Sequence, residues 1–307
     1  MFGYVTRRVL SAIPIALIAV TVCFFILRLA PGGPFDGERA LSPSTLANLR
    51  AHYNLDLPLI QQYFIYVGRL LQGDFGPSMV YNDFTVAQML WIGLPFTLML
   101  GFSAFIIGTA VGLVAGALSA VNQNKWPDYM LVMLVMIGLV IPNFLMAAVL
   151  QLVFGVYLGW FPAGGWQNGS IAHLVLPITV LVLPHAGRTA RLMRGSMIEV
   201  LGTNYVRTAR SKGLGQRLIL ARHAIKPALL PVVSYLGPGL SYLLTGSLVV
   251  EQVFALPGIG KYFISAALNR DYGLVLGTTI LYMLIILAVN LVVDVLYAWL
   301  DPKVRYN

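Results

Sequence analysis

The stretch that decides the fold of this chain is residues 188–226, RTARLMRGSMIEVLGTNYVRTARSKGLGQRLILARHAIK. It contains nine lysine or arginine residues and one acidic residue, Glu199, whereas the segments on either side of it are long and apolar. Loops rich in lysine and arginine between apolar spans are retained on the cytoplasmic side of a membrane. The charges therefore indicate the topology of the neighbouring spans, and on composition alone a topological anchor explains them without any partner.

The composition of the 307-residue chain is that of a membrane protein. Hydrophobic residues make up 58% of it and charged residues only 10%, whereas soluble domains have about 25% charged residues. The net charge of +9 is also found in nucleic-acid-binding proteins, but here the basic residues lie beside apolar spans, without the polar body of such a domain. We therefore expect contact with lipid and none with nucleic acid. The single cysteine, Cys23, excludes a disulfide within the chain and a cysteine-based metal site.

Apolar runs predict an all-α integral membrane protein with six transmembrane helices in a single domain, residues 1–307. The spans lie at about 9–30, 94–121, 129–158, 173–187, 228–250 and 274–300. The first run, as a helix, covers about 33 Å, which is enough to cross a bilayer and too long for the apolar core of a signal peptide. Pro142 predicts a kink in the third span, and Gly108, Gly112 and Gly116 predict close helix packing by the second.

The distribution of basic residues predicts the topology. Fourteen of the twenty lysine and arginine residues fall on the cytoplasmic side if both the N- and C-termini are cytoplasmic, which satisfies the positive-inside rule. Residues 31–93 then lie outside, where Ser42-Pro43 is a typical helix start. We expect two short helices in this region, which form a periplasmic helical cap. In a bacterium the chain would be a multi-pass protein of the inner membrane.

The sequence contains no recognisable energy source for transport and no catalytic site. It lacks the G-x-x-x-x-G-K-[ST] pattern, and the nearest run, Gly258 to Lys261, has the wrong spacing. A carrier driven by protons or sodium usually needs ionisable residues within its spans, and here there are few, of which Asp294 lies near one end. Four scattered histidines without metal-ligand spacing argue against a membrane enzyme. If the chain transports a solute, the energy would therefore have to come from a separate protein.

The inner part of the basic stretch predicts two short helices. Residues 205–214, YVRTARSKGL, are good helix formers, and Gly213 and Gly215 stand where such a helix would end. A second basic helix is expected from Gln216 to Lys226, before prolines open the next span. The result would be a compact, charged elbow between two spans.

Several motifs together resemble one family. YVRTARSKGL (205–214) followed by HAIKPALLPV (223–232) is similar to the cytoplasmic coupling loop of the membrane subunits of ATP-driven (ABC) importers, in the branch of the peptide and nickel permeases. The chain departs from the wider family at Arg207, where many members have glutamate. The resemblance covers nearly the whole chain through RLAPGGPF (28–35), GDFGPS (73–78), LPFTLML (94–100), GSMIEVL (195–201), EQVFALPGIG (251–260) and ALNRDY (267–272).

The resemblance implies a type I ABC importer permease fold and a non-catalytic subunit through which oligopeptides enter the cytoplasm. The implied partners are a second, similar permease subunit, two ABC ATPase subunits that bind ATP and magnesium, and a periplasmic peptide-binding protein. The chain itself would bind no cofactor and no metal. Two alternatives stay open: a dipeptide, nickel or glutathione permease subunit of the same branch, and a stand-alone secondary transporter.

Three groups of candidate site residues follow. Within the cytoplasmic coupling loop, 188–227, the residues expected to contact an ATPase are Arg207, Thr208, Ala209, Arg210, Ser211, Lys212, Gly213 and Leu214. Ala209 and Gly213 are expected to allow close approach of the partner. The periplasmic docking and gating surface is expected to combine the cap with the LPGIG segment, Leu256, Pro257, Gly258, Ile259 and Gly260. A neutral pore lining, suited to peptides with variable side chains, is expected from Tyr235, Ser241, Tyr242, Thr245 and Ser247.

Overall fold

The computed structural model describes residues 2–30, 32, 35, 43–81, 83–167 and 169–300, without the side chains of 2–5, 9, 43 and 294–300. This part of the chain is helical and has no β-strand beyond an isolated bridge between Pro77 and Thr85, which confirms the all-α prediction. The helices are α1 (Phe2–Leu29), α2 (Pro43–His52), α3 (Leu59–Leu70), α4 (Val86–Val121), α5 (Trp126–Val140), α6 (Asn143–Leu150), α7 (Ala172–Leu201), α8 (Asn204–Ser211), α9 (Gln216–Ile219), α10 (Ile225–Ala228), α11 (Leu230–Val253), α12 (Ile259–Leu268) and α13 (Tyr272–Leu300). Two π-helical segments, Gln151–Tyr157 and Leu220–Ala224, follow α6 and α9.

The chain forms two compact units. The first contains Met1–Phe96 and Pro257–Leu291, and the second contains Thr97–Leu256 and Val292–Asn307. Helices α4 and α13 each contribute residues to both units. The candidate coupling and pore residues all belong to the second unit.

In the first unit, an aromatic cluster joins α1 to α3. Phe24 is fully buried, and its ring centroid lies 5.5 Å from that of Tyr63 and 5.7 Å from that of Tyr66. Helices α2 and α3 correspond to the two short helices expected in the cap, and α2 begins at the predicted proline, Pro43. Most of the cap sequence before Pro43 lies outside the described residues.

A buried carboxylate in the same unit fixes the start of α13. Asp271 Oδ1 accepts a hydrogen bond of 3.0 Å from the backbone N–H of Leu274, which satisfies one of the unpaired donors of the helix terminus. Its Oδ2 accepts from the Ser78 hydroxyl at 2.5 Å and from the Val80 backbone N–H at 3.3 Å. This link was not predicted, because Ser78 and Asp271 are 193 positions apart in the chain.

In the second unit, glycines let α4 lie close to α7. A Cβ atom added at Gly112 would lie 2.7 Å from the carbonyl oxygen of Ala186, and one at Gly116 would lie 2.5 Å from that of Ala190. Backbone atoms cannot move away from such contacts as a flexible side chain can. The prediction that the glycines of the second span serve helix packing is therefore confirmed, as expected where helices associate through small residues.

Among the described residues, four helices are long and apolar enough to cross a membrane: Thr6–Leu29, Val86–Val121, Leu230–Val253 and Tyr272–Val293. A fifth span is obtained if Trp126–Val140 and Asn143–Tyr157 are counted together, although they meet at an angle of 105°. The break is much sharper than the predicted kink. Ile141 and Pro142 both have extended backbones, with ψ of 124° and 141°, because proline lacks an N–H and disfavours the helical conformation of the residue before it.

Helix α7 covers the fourth predicted span and continues beyond it. The sequence placed the end of the span at about Gly187 and left open a continuation into the basic stretch. The helix does continue, without interruption, to Leu201, so the first part of the predicted coupling loop is helical. Arg188, Arg191 and Arg194 follow the apolar half of this helix, and α7 is not among the spans counted above. A sixth span thus stays a prediction.

Candidate functional site

The basic stretch folds into an elbow, which we define as residues 203–228. Its first helix, α8, is amphipathic: Val206 and Ala209 are buried against Ile219, and Leu214, Val200 and Leu201 complete this small apolar cluster. The helix predicted over 205–214 is therefore present, with its thin apolar stripe turned toward its own chain. Ala209 was expected to lie against a partner, but only 6% of it is exposed because it is part of this cluster.

Gly213 ends α8 in a left-handed conformation, with φ of +77°. The Leu214 N–H donates to the Ala209 carbonyl at 3.3 Å, and the Gly213 N–H donates to the Arg210 carbonyl at 2.9 Å. This pair of bonds is a Schellman motif, which satisfies carbonyls at the helix end and favours glycine at this position. The end of the helix at Gly213 was predicted correctly. The positive φ is the physical reason for glycine at this position.

The opposite face of α8 is polar and cationic. Arg207, Thr208, Arg210, Ser211 and Lys212 are exposed, and none of the three cations has an ion-pair partner among the described residues. Arg210 and Leu214 also help to line a cavity of about 570 Å³, together with residues from the ends of α4 and α7. The exposed face of α8 is therefore positively charged and has no compensating acid among the described residues.

The second arm of the elbow is continuous from α9 through the π-helical turn to α10, and α11 begins two residues later. Ala224, Ala228 and Val232, on this arm and the start of α11, are buried against Met193 and Met197 of α7. This contact packs the elbow directly against α7 and the start of α11.

An ion pair between Arg194, near the C-terminal end of α7, and Asp128, in the first turn of α5, was not predicted from the sequence. Arg194 donates from Nε to Asp128 Oδ1 at 2.8 Å and from Nη2 to Oδ2 at 2.7 Å. The same carboxylate accepts from the hydroxyl of Ser119 and from the Asn124 N–H at 2.9 Å. The pair joins the α4–α5 turn to α7, and the only signal for it in the sequence was an isolated acid in the first turn of a helix.

The LPGIG segment is largely buried. Leu256 and Ile259 have no exposed surface, Gly258 and Gly260 are also buried, and only Pro257 is half-exposed. Gly93 allows the close approach of this segment to α4, because a Cβ atom there would lie 2.9 Å from the Ile259 nitrogen and 3.0 Å from the Gly258 carbonyl carbon. The segment therefore does not present its side chains as a docking surface in this chain alone, and its docking role stays a prediction.

Four of the five candidate pore residues, Tyr235, Ser241, Tyr242 and Thr245, are half-buried on α11. Ser247 differs from them: it is fully buried, and its hydroxyl donates to the Leu244 carbonyl at 2.8 Å. It therefore does not reach the surface that the others share.

Two residues of α7, Arg188 and His185, contact the candidate pore residues of α11. The sequence did not assign them a role there. The guanidinium carbon of Arg188 lies 4.7 Å from the centroid of the Tyr242 ring. His185 is buried between Thr109, whose Oγ1 is 2.9 Å from Nε2, and Tyr235, whose hydroxyl is 3.4 Å from Nδ1. The expected neutral lining thus has a fixed positive charge beside it.

No group of three or more His, Cys, Asp or Glu side chains that could hold a metal ion is found among the described residues. Two surfaces stand out among the described residues: the exposed cationic face of α8, and an aromatic, polar face of α11 with a neighbouring cation.

Comparison with known proteins gives a consistent result along the whole chain. The family described as binding-protein-dependent transport system inner membrane component matches residues 112–306, and the family of the N-terminal part of such membrane components matches residues 1–101. The chain is 47% identical to the oligopeptide transport system permease protein OppB of Haemophilus influenzae and 49% identical to that of Salmonella typhimurium, with 100% of both chains covered in each comparison. It is 39% identical to the dipeptide transport system permease protein DppB of Bacillus subtilis, covering 100% of this chain and 99% of that protein.

Among solved structures, the methionine ABC transporter MetNI in an inward-facing conformation is similar in fold. The similarity has a TM-score of 0.56 at 19% identity and covers 70% of this chain and 97% of the other. At this identity the likeness concerns the fold alone, and it agrees with the importer fold expected from the motifs. The chain belongs to the family of inner membrane components of binding-protein-dependent transport systems.

Proposed function

We propose that this chain is the non-catalytic permease subunit of an ATP-driven importer that moves oligopeptides from the periplasm to the cytoplasm. The observation that carries the proposal is the elbow, whose cationic face is exposed while its apolar face is packed onto α7 and α11. The full-length similarity to permease proteins of oligopeptide systems supports the choice of substrate.

In the proposed mechanism, two separate ATPase subunits bind ATP and magnesium, and the elbow converts their closure into movement of the spans. Arg207, Arg210 and Lys212 pair with acidic groups of the ATPase cleft, and Thr208 and Ser211 lie against its surface. Gly213 and Leu214 hold the end of α8 in the conformation that presents these groups. A ligand or partner that prefers one of two arrangements shifts the equilibrium between them, and the packing of Ala224 and Ala228 on α7 would pass that shift to the spans.

The proposed topology has six spans with both termini in the cytoplasm of a bacterium, so that the chain is a multi-pass protein of the inner membrane. Helix α7 supplies the sixth span, and its arginines lie toward the cytoplasmic end, as the positive-inside rule favours. The cap then faces the periplasm.

The proposed partners, besides the ATPases, are a second homologous permease subunit and a periplasmic peptide-binding protein. Peptide crosses at the interface of the two permease subunits, along the face of α11 that bears Tyr235, Ser241, Tyr242 and Thr245. The binding protein docks on the cap, and the LPGIG segment acts from within the fold by fixing the start of α12 during gating.

Two alternatives are less well supported. A dipeptide permease would share this fold, but the dipeptide relative is less similar to the chain than the oligopeptide relatives are. A stand-alone secondary transporter would need ionisable residues that bind the coupling ion within the spans. It would transport peptide without an ATPase, so the experiment below separates it from the proposed function.

The test is peptide uptake by proteoliposomes that contain this chain, its second permease subunit and the ATPases, with and without the binding protein. We expect uptake and ATP hydrolysis that both require loaded binding protein. Uptake by this chain alone, driven by a proton gradient, would contradict the proposal. Accumulation of dipeptides with rejection of longer peptides would replace the substrate class and leave the mechanism intact.

A further inference from the structure

Arg188 is a cation on α7 that lies beside the proposed peptide-lining face of α11. It lies sixteen residues after Ala172, the first residue of α7, which is about 24 Å along the helix. If α7 starts at the outer face of the hydrocarbon layer, which is about 30 Å thick, Arg188 lies within the span near its cytoplasmic end. Ionisable residues at such depths face the interior of a helical bundle or a water-filled path and mark routes of substrates or ions.

The cation has no carboxylate beside it among the described side chains of its unit. Asp128 is occupied by Arg194. Glu199 lies eleven residues farther along α7, or about 16 Å, and Glu251 lies nine residues beyond Tyr242 on α11, or about 14 Å. Arg188 itself is exposed, so its charge is available to a group from outside the chain.

Aromatic side chains of α11 and α7 surround the Arg188 side chain. Tyr242 holds the guanidinium by a cation–π contact of 4.7 Å, a geometry in which the N–H groups at the edge of the guanidinium can still donate hydrogen bonds. Tyr235, on the same helix as Tyr242, is stacked on His185, with ring centroids 5.6 Å apart. Gly239 makes room for this imidazole, because a Cβ atom there would lie 2.8 Å from its Cε1.

We propose that Arg188 is a specificity-determining residue that binds the terminal carboxylate of a peptide in transit, with Tyr242 orienting its guanidinium. This inference rests on the proposed function and adds a recognition group to it. Peptides differ in every side chain but share a carboxylate at the C-terminus. A guanidinium presents two parallel N–H donors that match a carboxylate, and so one fixed cation recognises the group that all substrates share while the neutral face of α11 tolerates the rest.

The experiment compares tetra-alanine with its C-terminal amide in the assembled complex. Uptake is measured in proteoliposomes at saturating binding protein, and binding of each radiolabelled peptide is measured on the purified complex without the binding protein, so that selectivity of the binding protein does not enter. The variants are Arg188→Gln, which removes the charge, and Arg188→Lys, which keeps the charge without the fork. Arg191→Gln is the matched control, because Arg191 is exposed one turn farther on and its Nη2 donates to Met136 Sδ at 2.8 Å.

We expect Arg188→Gln to lower uptake and binding of tetra-alanine about tenfold, the usual loss for one charge-assisted hydrogen-bonded contact, and to leave the amide unchanged. Arg188→Lys should retain part of the preference for the carboxylate, and Arg191→Gln should behave as the wild type.

An equal loss for both peptides in Arg188→Gln would overturn the inference and indicate an ion pair with the second permease subunit. No loss for either peptide would overturn it as well. A wild-type complex that binds and transports neither form would instead contradict the proposed function itself.

Discussion

Residues 207–214 of the elbow and residues 256–260, the LPGIG segment, share features of sequence but differ in how far their side chains are exposed. Both are short, contain glycine next to an apolar span, and were predicted to be docking surfaces. In 207–214, six of the eight residues are exposed, whereas in 256–260 four of the five are buried. The elbow segment carries three cations and the LPGIG segment carries none. In both places glycine predicted where the chain turns. Only the three cations of 207–214 indicated which of the two segments is exposed.

The comparison also separates what substitutions in the two regions should change. Side chains on the exposed face of α8 make few contacts within this chain, so their loss should affect coupling to a partner and leave stability unchanged. Side chains of the LPGIG segment fill the interior, so their loss should lower stability before any effect on coupling.

The largest expected effect is that of a double charge reversal on the elbow, Arg210→Glu with Lys212→Glu. Truncating one partner of an interfacial charge pair costs about 2 kcal/mol or more, so two reversals should lower binding-protein-stimulated ATP hydrolysis about 1000-fold. The melting temperature of the purified chain should not change. Lys125→Glu, a reversal at another exposed cation, is the control and should keep most of the activity. Full activity of the double variant would remove the elbow from the coupling mechanism.

The next effect should come from Ile259→Ala in the LPGIG segment. Ile259 has no exposed surface, and truncation of a buried isoleucine costs about 2–5 kcal/mol. Thermal unfolding should show this loss, while ATP hydrolysis per folded complex stays near the wild-type value. A stable variant that fails to respond to the binding protein would instead mean that this segment docks directly, and the contrast between the two regions would be lost.

A smaller loss is expected from Asp128→Asn. The change removes the carboxylate charge that Arg194 contacts through two hydrogen bonds. Breaking a buried pair costs roughly 3–5 kcal/mol, but the Arg194 side chain is 30% exposed, and water reduces this to about 2 kcal/mol. Thermal unfolding of Asp128→Asn, Arg194→Met and the double variant forms a cycle. If the losses of the two single variants add up in the double variant, the pair does not join the α4–α5 turn to α7 as we describe.

The smallest effect should distinguish two glycines of the elbow. Gly213 has φ of +77°, whereas Gly215 has φ of −63°. At both positions an added Cβ atom would meet open space. Gly213→Ala should destabilise the Schellman motif by about 1 kcal/mol and lower coupling by a few-fold, whereas Gly215→Ala should be neutral. Coupling assays and thermal unfolding of both variants measure this difference. Equal behaviour of the two would show that the left-handed turn does not matter for presenting α8.

Local features were predicted well from the sequence. These features depend on residues within one or two turns of each other: the start of α2 at Pro43, the helix over 205–214 and its end at Gly213. Proline and glycine mark such helix ends in the sequence. The packing of α4 through Gly112 and Gly116 was also predicted, because small residues four positions apart in an apolar helix form a stripe on which a second helix can lie closely.

The features that were missed depend on residues far apart in the chain. The burial of Ile259 requires the backbone of Gly93, and the pairing of Asp128 with Arg194 joins two helices 66 positions apart. The end of α7 at Leu201 was left open by the sequence, because the residues from Arg188 onward fit a helix as well as a loop. The cation–π contact of Arg188 with Tyr242 likewise joins two helices and gives no signal in either one alone.

The most direct test of the account is whether the exposed face of α8 touches an ATPase. Thr208→Cys in a Cys23→Ser background gives a single thiol on this face, and a short thiol-to-amine crosslinker is added to the assembled complex. Leu268→Cys, at a residue that is 78% exposed on α12, is the control. The account predicts an adduct of this chain with one ATPase subunit at Thr208→Cys and none at Leu268→Cys. An actively hydrolysing complex that forms no adduct at Thr208→Cys in any nucleotide state would contradict it.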